Sequence, residues 1–186
     1  PSSELFEGLL RQVEGLNRLI EDLRVLSLKD SGHLEIQRTS VRLADELSTV
    51  LQAFAAPLTA KGFHLHNQLD ANLRVECDAL RIRQALMALL ENALRHADPG
   101  NLRVRLQQVG DNCQLSVEDD GPGIDNALAT DIFEAFRRGD PSRSRKSGGS
   151  GLGLAVVKAI AEAHGGQAIC QASGVGSVFI ISWPVS

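Results

Sequence analysis

The chain has 186 residues and a mass of 20.0 kDa, which suits one medium-sized domain or a small domain with an appendage. Its residues are 43% hydrophobic, so a real core can form and wholesale disorder is excluded. The net charge of −4 and the aromatic content of 4%, with no tyrosine, argue against general binding of nucleic acid.

The ends of the chain, its apolar runs and its cysteines set further expectations. The sequence begins at Pro1 and its one methionine is Met87, which predicts a piece of a longer protein. No apolar run approaches the ~18 residues that a membrane span needs, so we expect no membrane contact by this segment. Cys77, Cys113 and Cys170 lack a metal-type spacing, which indicates a reducing compartment and a role as core filler.

The first 28 or so residues predict one helix. Leu9, Leu16 and Leu23 recur every seven residues, and neighbouring apolar side chains widen the stripe. Such a stripe is typical of a helix in a bundle or dimer, and the alternative is a helix that packs on the core of its own domain. A break at 29–32 predicts two units, residues 1–30 and residues 31–186.

The rest of the chain alternates helices with strands that are mostly joined as hairpins. Ser40 is a candidate N-cap for the first of these helices and Asp78 for the second. These patterns favour an α+β sandwich with helices on one face of a mixed sheet. The predicted strands are 34–36, 63–69, 73–77, 102–109, 113–118, 168–172 and 177–183, and the predicted helices are 41–60, 79–96 and 152–164.

Two glycine-rich motifs follow predicted elements. Asp119-Asp120-Gly121-Pro122-Gly123 follows a strand, where a carboxylate can accept a hydrogen bond from an exocyclic amine, although an ordinary turn has the same composition. Residues 148–153 enter a helix, so their backbone N–H groups could hold phosphate, and a flexible linker is the alternative. No Lys-Ser/Thr follows the last glycine, so this is not a Walker A loop.

Two further features lie beside these motifs. Residues 137–146 hold five basic side chains and one acidic one, a local charge of +4 that suits either a polyanion-binding loop or a solvated loop without a role. Near the end of a predicted helix, Ala88, Asn92, Arg95 and His96 share one face. The Asn92 amide oxygen could bind a hard cation such as Mg²⁺ and Arg95 could meet phosphate, or both could simply face water.

The order of these motifs resembles the catalytic ATP-binding domain of bacterial sensor histidine kinases, in a superfamily shared with DNA gyrase, Hsp90 and MutL. The resemblance runs from about residue 34 to residue 183 and includes 132–137, which resemble the F box. It implies a two-layer sandwich of the Bergerat type, Mg²⁺ held by Asn92, the adenine amino group bound by Asp119, and an ATP lid between 137 and 148. The implied ATP-binding residues are Asn92, Arg95, His96, Asp119, Gly121, Gly123, Arg145, Lys146, Gly149, Gly151, Leu152 and Gly153.

The same resemblance implies the activity and the partners. It predicts transfer of the ATP γ-phosphoryl group to a histidine on a bundle helix outside this chain, relay to a response-regulator receiver domain, and homodimerisation through the bundle. Residues 1–30 would then be the second bundle helix, in the cytoplasmic part of a parent protein of the bacterial inner membrane. None of the five histidines is followed by the acidic residue of the phosphoacceptor motif, so we expect no catalytic acceptor in this chain.

Two rival functions remain open. A hydrolytic ATPase of the same superfamily places a general-base Glu one turn before the Asn, and here that position is Ala88. Many histidine kinases have Asn or His there, so Ala88 also departs from the kinase pattern. The second rival is a nucleotide-binding regulatory module that transfers no phosphate.

Overall fold

The computed structural model describes residues 2–124, 129, 131–135, 150–172 and 176–185. In these residues the elements run in the order α1 (Ser2–Asp30), β1 (Thr39–Arg42), α2 (Leu43–Ala60), β2 (His64–Leu69), β3 (Arg74–Cys77), α3 (Ala79–His96), β4 (Asn101–Val109), β5 (Asn112–Asp119), α4 (Gly153–Ala163), β6 (Gln167–Ala172) and β7 (Ser177–Pro184).

Five strands form the main sheet in the order β2-β4-β5-β7-β6, and β1 pairs with β3 in a separate two-stranded sheet. Only β2 and β4 are parallel; the other neighbours in both sheets are antiparallel. The hairpin predicted between β4 and β5 is confirmed, and Gly110 takes the positive φ of +60° that its turn requires. The fold is therefore the expected α+β arrangement with a mixed sheet.

The core lies between one face of this sheet and helices α2, α3 and α4. Alternate residues of β5, from Cys113 to Asp119, are buried, which is the period-2 pattern of a strand with one covered face. Cys77 and Cys170 are buried as well, and burial raises the pKa of these two thiols to about 12 and about 11. Such thiols are poor nucleophiles, in agreement with their predicted role as core residues.

The segment between α1 and β1 corrects two sequence-based predictions. Residues 34–36 form no strand; the strand is Thr39–Arg42, and it contains Ser40, the predicted N-cap of α2. Before this strand, Gln37 and Arg38 each donate one hydrogen bond, to Asp78 and to His164. These two bonds are not the repeated backbone hydrogen bonds that a strand needs. Helix α2 begins at Leu43 without a side-chain cap. The negative charges of Asp45 and Glu46 in its first turn interact favourably with the positive end of the helix dipole instead.

Among the described residues, helix α1 contacts the rest of the chain through its C-terminal half, from Arg18 onward. Val25 is completely buried, and Glu21 forms an ion pair of 2.9 Å with Arg81 of α3. The apolar stripe of the preceding turns remains 46–68% exposed, at Leu5, Phe6, Leu9, Leu10, Val13, Leu16, Ile20 and Leu23. The predicted alternative of packing on the domain's own core thus applies to the last turns, and the bundle role of the exposed stripe stays a prediction.

Candidate functional site

Helix α3 presents Asn92 beside the start of α4. The predicted cap is confirmed, since Asp78 Oδ1 accepts a hydrogen bond of 3.1 Å from the backbone N–H of Arg81. The burial of Leu89, Leu90 and Ala93 fixes the rotation of the helix and leaves Asn92 half-buried. Among the described residues no hydrogen-bond partner is present for its side-chain amide, so that amide is available to a ligand.

Helix α4 begins in direct contact with α3. A Cβ atom on Gly153 would lie 3.7 Å from the Cβ of Ala88, one turn before Asn92 on the same face of α3. Ala88 and Gly153 are 65 positions apart in the sequence, and the fold brings them together. The side of α3 that carries Asn92 therefore faces the first turn of α4.

The turn into α4 is the candidate phosphate-binding element. Gly151 has a φ of +71°, and Leu152 is buried and precedes the first helical residue, Gly153. The N–H groups of the first turn lack acceptors within the helix, and the helix dipole adds positive charge there. Arg145, Lys146 and Gly149, the other expected contacts of this motif, lie outside the described residues.

Asp119 lies at the covered face of the sheet, where β5 ends. Its side chain is 8% exposed, and its Oδ1 accepts a hydrogen bond of 3.0 Å from the backbone N–H of Gly121. Burial raises the pKa of this carboxyl, while backbone hydrogen bonds from Gly121 and Ser177 act in the opposite direction. A buried carboxylate that is only partly satisfied can accept a further hydrogen bond from a ligand amine.

The next residue, Asp120, has a different and structural role. Its two oxygens accept hydrogen bonds from the backbone and side chain of Asn101, at 2.8 and 2.6 Å, and these bonds lower its pKa. They tie the end of β5 to the start of β4. The structure thus separates two adjacent carboxylates into one that faces the candidate site and one that stabilises the sheet.

Close backbone approach around Asp119 explains three glycines. A Cβ on Gly121 would come within 2.9 Å of Asp119 Oδ1, and Gly123 has a φ of +79°. A Cβ on Gly176 would collide with the carbonyl oxygen of Asp119. The motif after β5 predicts the first two glycines, whereas nothing near Gly176 in the chain signals its contact with residue 119.

The end of α3 also borders the loop that follows Asp119, residues 120–124. The position of a Cβ on Gly121 is 3.6 Å from the backbone nitrogen of Asp98, two residues after α3 ends. Arg95 and His96 in its last turn are exposed, and partial burial together with the charge of Arg95 lowers the pKa of His96. Arg95 also lines a cleft of about 330 Å³ with Arg18 of α1 and residues of α2.

The predicted F box is described in part. Phe133 is 4% exposed and packs edge-on against Phe179 of β7, with ring centroids 6.3 Å apart. Glu134 forms an ion pair of 2.9 Å with Lys158 of α4. These contacts attach the segment before the lid to the sheet and to α4, whereas residues 136 and 137 lie outside the described part.

Asn92 is the residue of the described part that could bind a metal ion at this site. The described residues contain no group of three or more His, Cys, Asp or Glu side chains that could hold a metal. Asn92 supplies one amide oxygen, a ligand that Mg²⁺ accepts, and Mg²⁺ commonly keeps several waters and phosphate oxygens as its other ligands. The residues present therefore fit an ion that arrives with phosphates.

Comparison with known proteins agrees with this site. Residues 77–186 match the family described as "Histidine kinase-, DNA gyrase B-, and HSP90-like ATPase". The matched residues include α3, Asp119 and the glycine turn of α4. The chain belongs to this family, and its fold is that of a histidine kinase catalytic domain. Membership of an ATPase family implies that the chain binds ATP.

The individual relatives are named as histidine kinases. The chain is 36% identical over 178 residues to the signal transduction histidine-protein kinase BaeS of Escherichia coli K12, and 37% identical over 185 residues to the sensor histidine kinase CusS of E. coli O157:H7. These alignments cover 95% and 97% of this chain and 38% of each relative, so the chain spans well under half of their length.

A solved structure shows the same architecture. The Acinetobacter baumannii histidine kinase AdeS superposes with a TM-score of 0.82 at 35% identity, over 100% of this chain and 86% of that one. Within the part of this chain that the structure describes, we find no helix with the length and hydropathy of a membrane span.

Proposed function

We propose that the chain is the Mg-ATP-binding catalytic part of a sensor histidine kinase. The observation that carries this proposal is the meeting of the three elements that carry Asn92, Asp119 and the Gly151–Gly153 turn. The start of α4 contacts α3 one turn before Asn92, and the loop after Asp119 contacts the segment that follows α3. Each of the three elements supplies the chemistry that one part of ATP needs. The sensor histidine kinases among the relatives favour this class over other ATPases of the family.

In this proposal the protein's groups position the nucleotide and neutralise its charge. Asp119 accepts the adenine amino group, the N–H groups at the start of α4 hold phosphate oxygens, and Asn92 binds the metal that bridges them. Bound Mg-ATP supplies an activated γ-phosphoryl group. Positioning of this kind accounts for most of the catalysis in phosphoryl transfer.

The acceptor and the partners follow from the same class. The phosphoryl acceptor is a histidine other than the five in this sequence, and the phosphate then passes to the aspartate of a response-regulator receiver domain. The exposed stripe of α1 forms part of the dimerisation bundle. The parent is a sensor of the bacterial inner membrane with this part in the cytoplasm.

The geometry at Ala88 argues against the hydrolytic alternative. A general base one turn before Asn92 would have to occupy the place of the Ala88 methyl group, which faces Gly153. A methyl group can neither accept a proton nor orient water. The regulatory-module alternative needs no such base, and it is separated from the kinase by assays of phosphoryl transfer to a bundle helix.

Two adjacent carboxylates provide the experiment that tests the pocket. Asp119→Asn removes a charge-assisted acceptor, so calorimetric titration with Mg-ATP and Mg-ADP should show about ten- to a hundredfold weaker binding. Asp120→Asn is the matched control and should change affinity less than about twofold, because its partners are Asn101 and not the ligand. Equal effects of the two substitutions would refute the assignment of Asp119.

A further inference from the structure

Helices α3 and α4 are antiparallel and pack against each other, and two contacts mark the ends of this packing. At one end the backbone N–H of Asp78, the N-cap of α3, donates a hydrogen bond of 3.1 Å to Nε2 of His164, which directly follows α4. At the other end Gly153 meets Ala88. The two helices that carry Asn92 and the glycine turn are therefore joined at both ends of their contact.

The hydrogen bonds of His164 fix its tautomer. Its ring is completely buried, and its Nδ1 lies 2.8 Å from the carbonyl oxygen of Ile160, which can only accept. Nδ1 must then carry the proton, and Nε2 must be the acceptor for Asp78. The indole of Trp183 packs against the imidazole, with ring centroids 6.1 Å apart.

The segment that follows α1 attaches at the same place. Asp78 Oδ2 accepts a hydrogen bond of 3.2 Å from the backbone N–H of Gln37, and Arg38 Nη2 donates one of 2.7 Å to the carbonyl oxygen of His164. We call Gln37, Arg38, Asp78 and His164 the junction. It joins the segment between α1 and β1 to the start of α3 and the end of α4.

The side-chain packing of the two helices and these two contacts together set the register of α4 on α3. Ten residues separate Asp78 from Ala88 and eleven separate Gly153 from His164, so the two intervals span about 15 Å and about 17 Å at 1.5 Å per residue. The bond at His164 is the directional polar contact in this packing, so its loss lets α4 shift along α3 and moves the glycine turn relative to Asn92. Asp119 belongs to β5 and is not displaced by that motion.

We propose that His164 is a positioning residue for the phosphate half of the nucleotide site, because its bond to Asp78 holds the glycine turn of α4 in register with Asn92. The inference rests on the proposed function. It assigns to the junction a contribution to phosphate binding and none to adenine selection. Because Gln37 and Arg38 contact the same place, a movement of the segment that follows α1 could also change the register of α4 on α3.

The charged groups around the imidazole determine how it responds to pH. Arg38 from the segment after α1 and Asp78 from α3 face it, Cys77 of β3 lies beside both, and β7 contributes the uncharged Trp183. Burial, and then the charge of Arg38, lower the pKa of His164, against the opposing effects of Ile160 and Asp78. Protonation at Nε2 would remove the acceptor and break the bond to Asp78.

The test compares the affinities of ATP and adenosine at pH 7.5 in two variants. His164→Leu removes the acceptor, so Mg-ATP should bind about tenfold more weakly while adenosine, measured by ligand-observed NMR, changes less than about twofold. His164→Gln retains an acceptor near the position of Nε2 and should keep the wild-type ratio of the two affinities. A folded His164→Leu protein with an unchanged ratio, or with equal losses for both ligands, would overturn the inference.

A second comparison holds even if the leucine variant does not fold. At pH 7.5 the ATP-to-adenosine ratio of His164→Asn should fall below that of His164→Gln, because the shorter amide cannot reach the backbone N–H of Asp78 whereas the longer one can. Equal ratios in the two variants would refute the role of His164, whereas wild-type protein that binds neither ligand would refute the proposed function itself.

Discussion

A Cβ atom on Gly153 would lie 3.7 Å from the Cβ of Ala88, so α4 starts against the turn of α3 that precedes Asn92. This is an ordinary van der Waals distance, so a methyl group fits at Gly153. The two positions consequently differ in the side chains that they can accept.

Enlarging Ala88 should separate the two helices at the nucleotide site. Ala88→Leu adds three carbon atoms where Gly153 leaves room for about one, and overpacking of this kind costs about 1–3 kcal/mol. We expect Mg-ATP affinity to fall about tenfold by calorimetry. Gly153→Ala adds one methyl group at an accepted distance and should leave affinity within about twofold, so a larger loss in that variant would contradict the geometry.

Gly176 should be intolerant of any side chain. Because a Cβ there would collide with the carbonyl oxygen of Asp119, Gly176→Ala must displace β7 or β5 and should cost more than about 3 kcal/mol in the free energy of unfolding. Urea unfolding followed by circular dichroism measures this loss. Gly15→Ala is the control in α1, with nothing within 4 Å of the new methyl group, and should instead gain about 0.5–1 kcal/mol.

Asp22 should make the stability of the chain decrease as pH rises. Its side chain is 9% exposed, and burial, reinforced by the charge of Glu91, raises its pKa from 3.8 to about 6. Below about pH 4 the carboxyl is protonated in the folded and the unfolded chain, so its burial carries no ionisation penalty. Above about pH 6 it must ionise in place, and the penalty approaches roughly 3 kcal/mol.

The substitution Asp22→Asn removes this penalty. The variant should be more stable than the wild type in urea at pH 8, and the difference should vanish near pH 4. Asp30→Asn, at the exposed end of the same helix, should change stability by less than about 0.5 kcal/mol at either pH. A constant difference between Asp22→Asn and wild type at both pH values would show that ionisation is not the cause.

The chain alone should not retain phosphate from ATP. His164 is completely buried, and none of His33, His64, His66 and His96 is followed by an acidic residue of the phosphoacceptor type. Incubation with γ-³²P-ATP and separation under alkaline denaturing conditions should leave no label on this polypeptide. A stable, acid-labile label that the Asp119→Asn variant lacks would reveal an acceptor among these histidines.

Local features of the sequence predicted most of the elements. The cap at Asp78, the hairpin at Gly110 and the alternation along β5 depend on residues a few positions apart, so the chain itself carries their signals. The strand at 39–42 was placed wrongly at 34–36 because its partner, β3, lies more than 30 residues further along the chain. Short strands without strong alternation depend on such a partner for their position.

The sequence by itself determined the order of the motifs, the residue types of the nucleotide site and the resemblance that named its class. Tertiary structure alone decided that Asp119 faces the site while Asp120 holds Asn101, and that Asp78 meets His164 across 86 residues. The physical reason is the range of the interactions. Caps, turns and periodicity act within one or two helical turns, whereas burial and helix register arise only when the packed core brings distant backbone groups within hydrogen-bond distance.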